Sequence, residues 1–327
     1  MSSIISRTVK GKKYYYLEDS FKQRKKWIKE SVYMGPEKPD NARLLSAFEE
    51  LKEKCVRKKH VVLVPPLTEF ISNQNAVKLQ KATENKKDFL KKLTKSQREE
   101  FVRRERITFI TDSNAIEGSS LTYSETSRIL KEEKQIKEYK KKDIIVTGLD
   151  REEQEALNLK ACLDHYDKYI KTNQKLSEKM ILQLHYVLLK KISGYEQYQG
   201  IYRPVKVYIR GSAHEFPLPQ EVPELIKKLI LWLEENEKLV HPVELAAKFH
   251  TKFTGIHPFA DGNGRMARLL MNYVLQQKEF PFTNIPLKRR ATYMETQEAG
   301  NKENYKPFTK FLAEEVIKLH LGKHDKK

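Results

Sequence analysis

The segment IHPFADGNGRMAR, residues 256–268, concentrates residue types that could handle a phosphorylated ligand. Two glycines and the asparagine between them favour positive φ and a tight turn. The helical pattern of RMARLLMNYVLQQ begins directly after them. A glycine-rich turn that leads into a helix offers free backbone N–H groups and the positive end of the helix dipole to an anion. The segment therefore predicts an anion-binding turn at a helix N-terminus.

The charged and titratable side chains of this segment indicate what the anion is. Arg265 and Arg268 are three residues apart, so they occupy neighbouring positions in the first turns of the helix. Two guanidinium groups beside such a turn favour a polyphosphate over a carboxylate. Asp261 would be repelled by phosphates unless Mg²⁺ lies between them. His257 stands where a general base could take a proton from an attacking hydroxyl.

Two better-known phosphate-binding patterns do not describe the segment. The P-loop sequence G-x-x-x-x-G-K-[ST] is absent, and a lone GNG is too weak to predict a dinucleotide fold. Each residue taken singly is also compatible with an ordinary turn or surface position. The functional interpretation depends on all of them occurring together.

A second stretch, SNAIEG at residues 113–118, ends a long candidate helix that covers residues 97–117. Ser113 and Glu117 are four residues apart, hence on one face, and Gly118 can end the helix. A glutamate at a helix C-terminus interacts unfavourably with the helix dipole. An external cation beside Glu117 would relieve that interaction. The alternative is an ordinary surface glutamate before a helix end.

The elements that must hold these residues are helical over most of the chain. From residue 41 onward, apolar residues recur at spacings of three and four. One segment differs: GIYRPVKVYIRGSAHEFPLPQ alternates in VKVYI and has Pro and Gly on both sides, which predicts a short β-hairpin or flap. Residues 12–34 also alternate and predict an N-terminal β-hairpin.

Composition narrows the class of protein. The 327 residues carry 63 Lys+Arg against 44 Asp+Glu, a net charge of +19, which would attract nucleotides, nucleic acid or acidic proteins. The basic residues are spread along the chain, so nucleic acid is not the expected partner. Cys55 and Cys162 lack any metal-binding spacing and suit a reducing compartment. No apolar run approaches the roughly 18–20 residues of a membrane helix, so we expect a cytoplasmic protein without a membrane partner.

Residues 257–268, HPFADGNGRMAR, resemble the signature of the Fic (Fido-fold) family, H-P-F-x-[DE]-G-N-G-R-x-x-R, at every defined position. The resemblance extends over about residues 100–315. It implies a mainly α protein with a Fido-fold helical core and a short β-hairpin flap. The expected organisation is an N-terminal β-hairpin extension at 1–40, a helical region at 41–175, the Fic core at 176–320 and a basic tail at 321–327.

The activity implied by this resemblance is transfer of AMP from ATP to a Ser, Thr or Tyr hydroxyl of a protein, the chain itself included. His257 would deprotonate that hydroxyl, and Asp261 would hold Mg²⁺ (or Mn²⁺) on the phosphates. The residues implied in ATP binding are Gly262, Asn263, Gly264, Arg265, Arg268, Tyr293 and Asn301. The flap residues that would align the target chain by strand-like pairing are Ile209, Arg210, Gly211 and Ser212.

SNAIEG resembles the inhibitory motif of the same family, [ST]-x-x-x-E-[GN]. The resemblance implies that Arg268 is the cation that pairs with Glu117, so that Glu117 occupies the place of the γ-phosphate. An alternative with the same fold is removal of AMP from a modified protein, with Glu117 positioning water. Phosphate transfer fits less well because the G-N-G-R form is intact. A catalytically idle nucleic-acid-binding protein is a further alternative, and a homodimer is left open.

Overall fold

The computed structural model describes residues 3–23, 26–57, 68–141, 150–208 and 214–321. Three strands come first: β1 Ser3–Val9, β2 Lys12–Gln23 and β3 Lys26–Gly35. The helices of the described residues are α1 Asn41–Arg57, α2 Asn73–Lys92, α3 Lys95–Ile116, α4 Tyr123–Lys141, α5 Arg151–Lys171, α6 Glu178–Leu189, α7 Val222–Asn236, α8 Pro242–Ile256, α9 Asn263–Gln277, α10 Arg290–Asn301 and α11 Lys306–Leu321. The predicted mainly α fold is confirmed.

Helix α9 lies at the centre of the main core. From Asn263 to Leu275 every residue except Gly264 is buried, including polar and charged ones. Helices α8, α5, α3 and the segments after α9 surround it. Because burial of each Leu, Met or Phe side chain contributes roughly 1.5–3 kcal/mol, the enclosed helix is held firmly. Its N-terminus is therefore a fixed point on which a site can be built.

Helix α3 carries the second sequence motif to this centre. Its N-terminus has a capping box, in which Thr94 accepts from the Gln97 backbone N–H and Gln97 accepts from that of Thr94. The helix starts slightly earlier than predicted because of this cap. It ends at Ile116, with Glu117 as C-cap and Gly118 at φ 113°. The glutamate thus stands at the helix end, as the sequence predicted.

The N-terminal hairpin has a third strand that the sequence did not predict. Strand β1 pairs antiparallel with β2, which pairs antiparallel with β3. Lys10 and Gly11 have φ of 46° and 78°, which allows a two-residue turn between β1 and β2. One sheet face packs on α1 and forms a small core separate from the main one.

The segment predicted as a flap hairpin has no strand pairing in its described parts, residues 200–208 and 214–220. Its tip, with Ile209, Arg210, Gly211 and Ser212, lies outside the described residues. Beside the tip, the guanidinium of Arg203 donates to the carbonyl groups of Val205 and Pro217.

Across the described helices, none is both long enough and apolar enough to cross a bilayer.

Candidate active site

The turn between α8 and α9 is held by its own backbone conformation and by one side-chain amide. His257 is the C-cap of α8 and is left-handed at φ 50° and ψ 61°, a conformation that costs a non-glycine residue about 1–2 kcal/mol. Gly262 is the N-cap of α9 at φ 79°. Asn263 Oδ1 accepts from the Phe259 N–H at 2.9 Å, and its Nδ2 donates to the Phe259 carbonyl at 2.8 Å. Both ends of this amide are thus used within the turn.

His185 on α6 supports the turn from below and was missed by sequence reasoning. Its imidazole stacks on Phe259 with ring centroids 3.6 Å apart. The Gly200 N–H donates to Nδ1 at 3.2 Å, so the proton sits on Nε2 and is donated to the Asp261 carbonyl at 3.1 Å. Burial lowers the pKa of His185 to about 4, which keeps this donor and acceptor pattern at neutral pH. The signal in the sequence was a single histidine within the apolar pattern ILQLHYVLL.

Arg268 is the point where the two sequence motifs meet. The side chain is 1% exposed. Its Nε donates to Ser113 Oγ at 2.9 Å, and Nη2 donates to the Ser113 carbonyl and to Glu117 Oε1, both at 2.8 Å. Nη1 donates to the Tyr293 hydroxyl at 3.5 Å. These partners satisfy a buried guanidinium that would otherwise be strongly destabilising.

The Glu117 carboxylate lies on the first turn of α9. A Cβ added at Gly264 would clash with Glu117 Oε1, so carboxylate and backbone are in close contact there. The C-terminal end of α3 therefore places its negative charge at the positive end of α9. This is the position that the glycine-rich turn predicted for an anion, and in the structure a side chain of the same protein occupies it.

Arg265 and Asp261 belong to a cluster of alternating charges on the other side of the turn. Arg265 is 2% exposed and pairs with Glu155 at 3.3 Å and Asp261 at 3.4 Å. Arg151 pairs with the same two carboxylates, at 3.0 and 3.3 Å. The second oxygen of Asp261 accepts from the Gly262 N–H at 2.6 Å. Glu155 and Arg151 were not identified from the sequence, because nothing in their spacing links α5 to the turn.

The His257 imidazole is neutral at physiological pH. Burial, together with the nearby Arg203 guanidinium, lowers its pKa to about 4. The Phe216 ring lies 4.8 Å from the imidazole. A half-buried, unprotonated imidazole beside the turn is able to accept a proton from an incoming hydroxyl.

Arg203 ties the histidine to the flap segment and was also missed by the sequence. The side chain is 1% exposed and donates to three backbone carbonyls, those of His257 at 2.7 Å, Val205 at 3.0 Å and Pro217 at 2.5 Å. Its own N–H donates to the Pro258 carbonyl at 2.9 Å. The planar guanidinium can serve several carbonyls at once, which a lysine ammonium could not do in this geometry.

The two nucleoside candidates occupy different surroundings. Tyr293 is 2% exposed, and its hydroxyl lies 3.0 Å from His250 Nε2 and 3.5 Å from Arg268 Nη1. Burial raises the pKa of Tyr293. Asn301, at the end of α10, lines a cavity of about 400 Å³ together with Gly255 of α8. In the structure, Tyr293 thus contacts Arg268 directly. Asn301 lies instead beside α8, the helix that leads to His257.

Comparisons with known proteins agree with this architecture. Residues 175–275 match the Fic/DOC family model. The chain is 32% identical over 217 residues to Protein adenylyltransferase Fic of Drosophila grimshawi, a match that covers 65% of this chain and 42% of the relative. This chain therefore spans about two fifths of the length of that curated relative.

Two solved structures are similar in fold. A Fic domain containing signaling protein from Bacteroides thetaiotaomicron superposes with a TM-score of 0.62 at 23% identity, covering 74% of this chain and 93% of that one. A Fic family protein from Desulfovibrio desulfuricans G20 has a TM-score of 0.57 at 26% identity, with 77% and 74% covered. The fold is accordingly the helical Fido fold. Over residues 175–275 the chain is similar to the Fic/DOC family.

Proposed function

We propose that this protein transfers AMP from ATP to a Ser, Thr or Tyr hydroxyl of a protein and that Glu117 restrains the reaction. The observation that carries the proposal is the Glu117 carboxylate on the first turn of α9, in contact with Gly264 and paired with Arg268 at 2.8 Å. It marks the helix N-terminus as a place where negative charge is bound. The name of the curated relatives, protein adenylyltransferase, supports the reaction class.

In this proposal the hydroxyl oxygen attacks the α-phosphorus of ATP, pyrophosphate leaves, and the hydroxyl proton passes to His257. The low pKa of His257, about 4, supports its role as acceptor because the ring is unprotonated before attack. The backbone N–H groups at the start of α9 and the guanidinium groups of Arg265 and Arg268 hold the phosphate oxygens. Tyr293 and Asn301 contact the nucleoside, and residues 209–212 align the target chain.

Asp261 is the residue proposed to hold Mg²⁺ or Mn²⁺. One carboxylate with phosphate oxygens and water is a typical ligand set for Mg²⁺. The Asp261 side chain is 28% exposed, and its guanidinium contacts are long, at 3.3 and 3.4 Å, so Oδ2 is accessible to a cation. A bound metal would supply charge neutralisation on the phosphates. Within the described part of the chain, no group of three or more His, Cys, Asp or Glu side chains could hold a metal ion by itself.

The proposed restraint by Glu117 has two physical parts. The carboxylate holds the Arg268 guanidinium away from the γ-phosphate, and it also places a negative charge where phosphate oxygens would bind. ATP would then bind with its α-phosphate out of line with the attacking hydroxyl. A misplacement of about 1 Å can cost on the order of 10²-fold in rate.

A second candidate reaction is removal of AMP from a modified protein. It is favoured by the partial exposure of the Glu117 side chain, 37%, which leaves the carboxylate accessible to a water molecule. In that reaction Glu117 would position the water, and its loss would abolish activity rather than raise it. The two candidates therefore predict opposite effects of the same substitution.

The test is incubation with labelled ATP followed by mass spectrometry of the modified residues. Glu117→Gly and Glu117→Gln should both raise automodification strongly over wild type, because each removes the charge from the α9 N-terminus. The matched control is Glu99→Gln, which removes an exposed carboxylate from the same helix and should leave transfer unchanged.

Equal transfer by wild type and both Glu117 variants would contradict the restraint. If Glu117→Gln instead loses the ability to release AMP from a modified protein, AMP removal is the better assignment.

A further inference from the structure

The outward face of the N-terminal sheet is a surface that the proposed reaction does not use. Side chains alternate between the two faces of a strand. Leu17, Val32 and Met34 point to one face and pack against α1. Residues at the alternate positions of β2 and β3 therefore face away from α1, and this outward face includes Tyr14, Tyr16 and Tyr33.

These three tyrosines form one aromatic cluster. The Tyr33 ring lies 6.2 Å from that of Tyr14 and 5.4 Å from that of Tyr16, between ring centroids. Tyr33 is 47% exposed. Large aromatic side chains grouped on the solvent face of a sheet are not needed for its own small core, which lies on the other side. The cluster therefore offers aromatic ring surface to a partner.

Cations accompany the rings. Arg7 lies over the Tyr16 ring at 4.7 Å and pairs with Glu18 at 2.8 Å, while Lys29 pairs with the same carboxylate at 3.1 Å. The Arg7 and Lys29 side chains are 50% and 67% exposed, whereas Glu18 is 13% exposed. One carboxylate is thus shared by two accessible cations, which leaves the face positively charged.

The surrounding sequence strengthens this charge. Residues 3–35 contain nine Lys and Arg against three Asp and Glu. Lys10 and Lys12 are exposed at the turn between β1 and β2. A tenth of the chain thus carries a net charge of +6 out of the total of +19. The net positive charge per residue of this small sheet is therefore well above the average for the chain.

We propose that this face binds single-stranded nucleic acid, with bases stacked on Tyr33 and its neighbouring rings and phosphates held by Arg7 and Lys29. Aromatic rings and basic side chains together form the usual surface for unpaired nucleic acid, because every base has a face that can stack. In a duplex those faces are already covered by neighbouring base pairs. An acidic protein would match the charge but would not use the exposed ring faces.

The test is fluorescence anisotropy of the full chain with a labelled oligothymidylate of about 20 nucleotides, without ATP. We expect binding that weakens steeply with salt, and Tyr33→Ala should weaken it about fivefold or more. Arg7→Gln should weaken binding and reduce the salt slope by about one. The matched control is Tyr186→Ala on α6, a tyrosine with the same 47% exposure, which should bind like wild type.

The proposal is overturned if the oligonucleotide does not bind or if Tyr33→Ala and Tyr186→Ala bind equally well. It is also overturned if a duplex of the same length binds as tightly as the single strand, or if polyglutamate displaces the oligonucleotide at equal charge concentration. The circular dichroism spectrum of Tyr33→Ala should match that of the wild type. A match shows that the weaker binding does not result from unfolding. Because the assay contains no ATP, its result is independent of the proposed AMP transfer.

Discussion

His257 combines two unusual properties in one residue. Its backbone is left-handed, and its imidazole is buried enough to lower the pKa to about 4. The left-handed conformation ends α8 and directs the chain into the turn, so the side chain is presented at the entrance of the site. The strain is retained because Arg203 and Phe216 surround the residue.

His257→Ala should lower AMP transfer by roughly 10²–10⁴-fold, because the hydroxyl loses its general base. ATP binding should persist, since the phosphate-binding turn is unchanged. In an active background such as Glu117→Gly, transfer should stay constant from pH 8 down to about 5 and fall only as pH approaches the His257 pKa of about 4. Labelled-ATP transfer and nucleotide binding by calorimetry check both parts. Near-normal transfer by the alanine variant would exclude His257 as the base.

Arg203 is expected to act as a positioning residue. Arg203→Lys keeps the charge, but a compact ammonium cannot reach the three carbonyls that the planar guanidinium serves, so the His257 backbone should shift and transfer should fall on the order of 10²-fold in the active background. Because the His257 ring would become better solvated, its pKa should rise toward 6.5, and the acid limb of the pH profile should move with it. Arg104→Lys, at an exposed position of α3, is the control. An unshifted pH profile at reduced activity would indicate a purely structural role.

At the scale of elements, the site depends on close approach between helices. The C-terminal end of α3 meets the N-terminal end of α9 through Glu117 and Gly264, and α8 meets α10 through Thr251 and Gly300. In both pairs a glycine leaves room for the neighbouring side chain. These contacts set how near Tyr293 on α10 comes to Arg268 on α9.

Gly300→Ala should lower the free energy of unfolding by about 1–3 kcal/mol, because the added methyl would clash with Thr251 Cγ2. This loss would outweigh the roughly 1 kcal/mol by which alanine favours a helix over glycine. Gly255→Ala on α8 is the control, since its added methyl would meet only Asn301 Oδ1 at 3.9 Å and should be neutral or stabilising. Adding Thr251→Ser to Gly300→Ala should recover most of the loss in urea unfolding. If the double variant is no more stable than Gly300→Ala, the loss of stability does not come from a clash with Thr251 Cγ2.

At the scale of the whole molecule, buried neutral histidines link stability to pH. Burial lowers the pKa of His185, His241 and His257 to about 4 and that of His250 to about 3. In the unfolded chain these groups would titrate near 6.5, so the unfolded state binds more protons between about pH 6.5 and 4. Stability should therefore be fully present above pH 6.5 and should fall as the pH drops through that window.

The melting temperature should accordingly decrease from pH 7 to pH 5, a range in which most carboxylates remain ionised. Each histidine adds at most about 1.4 kcal/mol per pH unit. His241→Asn should make the decrease shallower, because asparagine keeps the N-cap acceptor for Val243 and removes one titrating group. Differential scanning calorimetry at fixed ionic strength measures this. A flat melting temperature over the range would contradict the histidine linkage.

The sequence by itself determined the local parts of this protein. Helical periodicity predicted the mainly α fold, and the glycines of residues 257–268 predicted a tight turn ahead of α9. The end of α3 at Gly118 was also predictable. These features depend on residues within one or two helical turns of each other, so spacing along the chain carries the information.

Only the tertiary structure decided which distant groups meet. Arg268 and Glu117 are separated by 151 positions, and the sequence suggested their pairing only through resemblance to a family. His185, Arg203 and Glu155 support the turn from three other segments, and their spacing in the sequence shows no relation to it. The tip of the predicted flap lies outside the described residues, and beside it the buried Arg203 guanidinium donates to the carbonyls of Val205 and Pro217, two contacts that residue spacing did not indicate. Such choices depend on burial and on competition among hydrogen-bond partners, and both of these arise only when the helices pack.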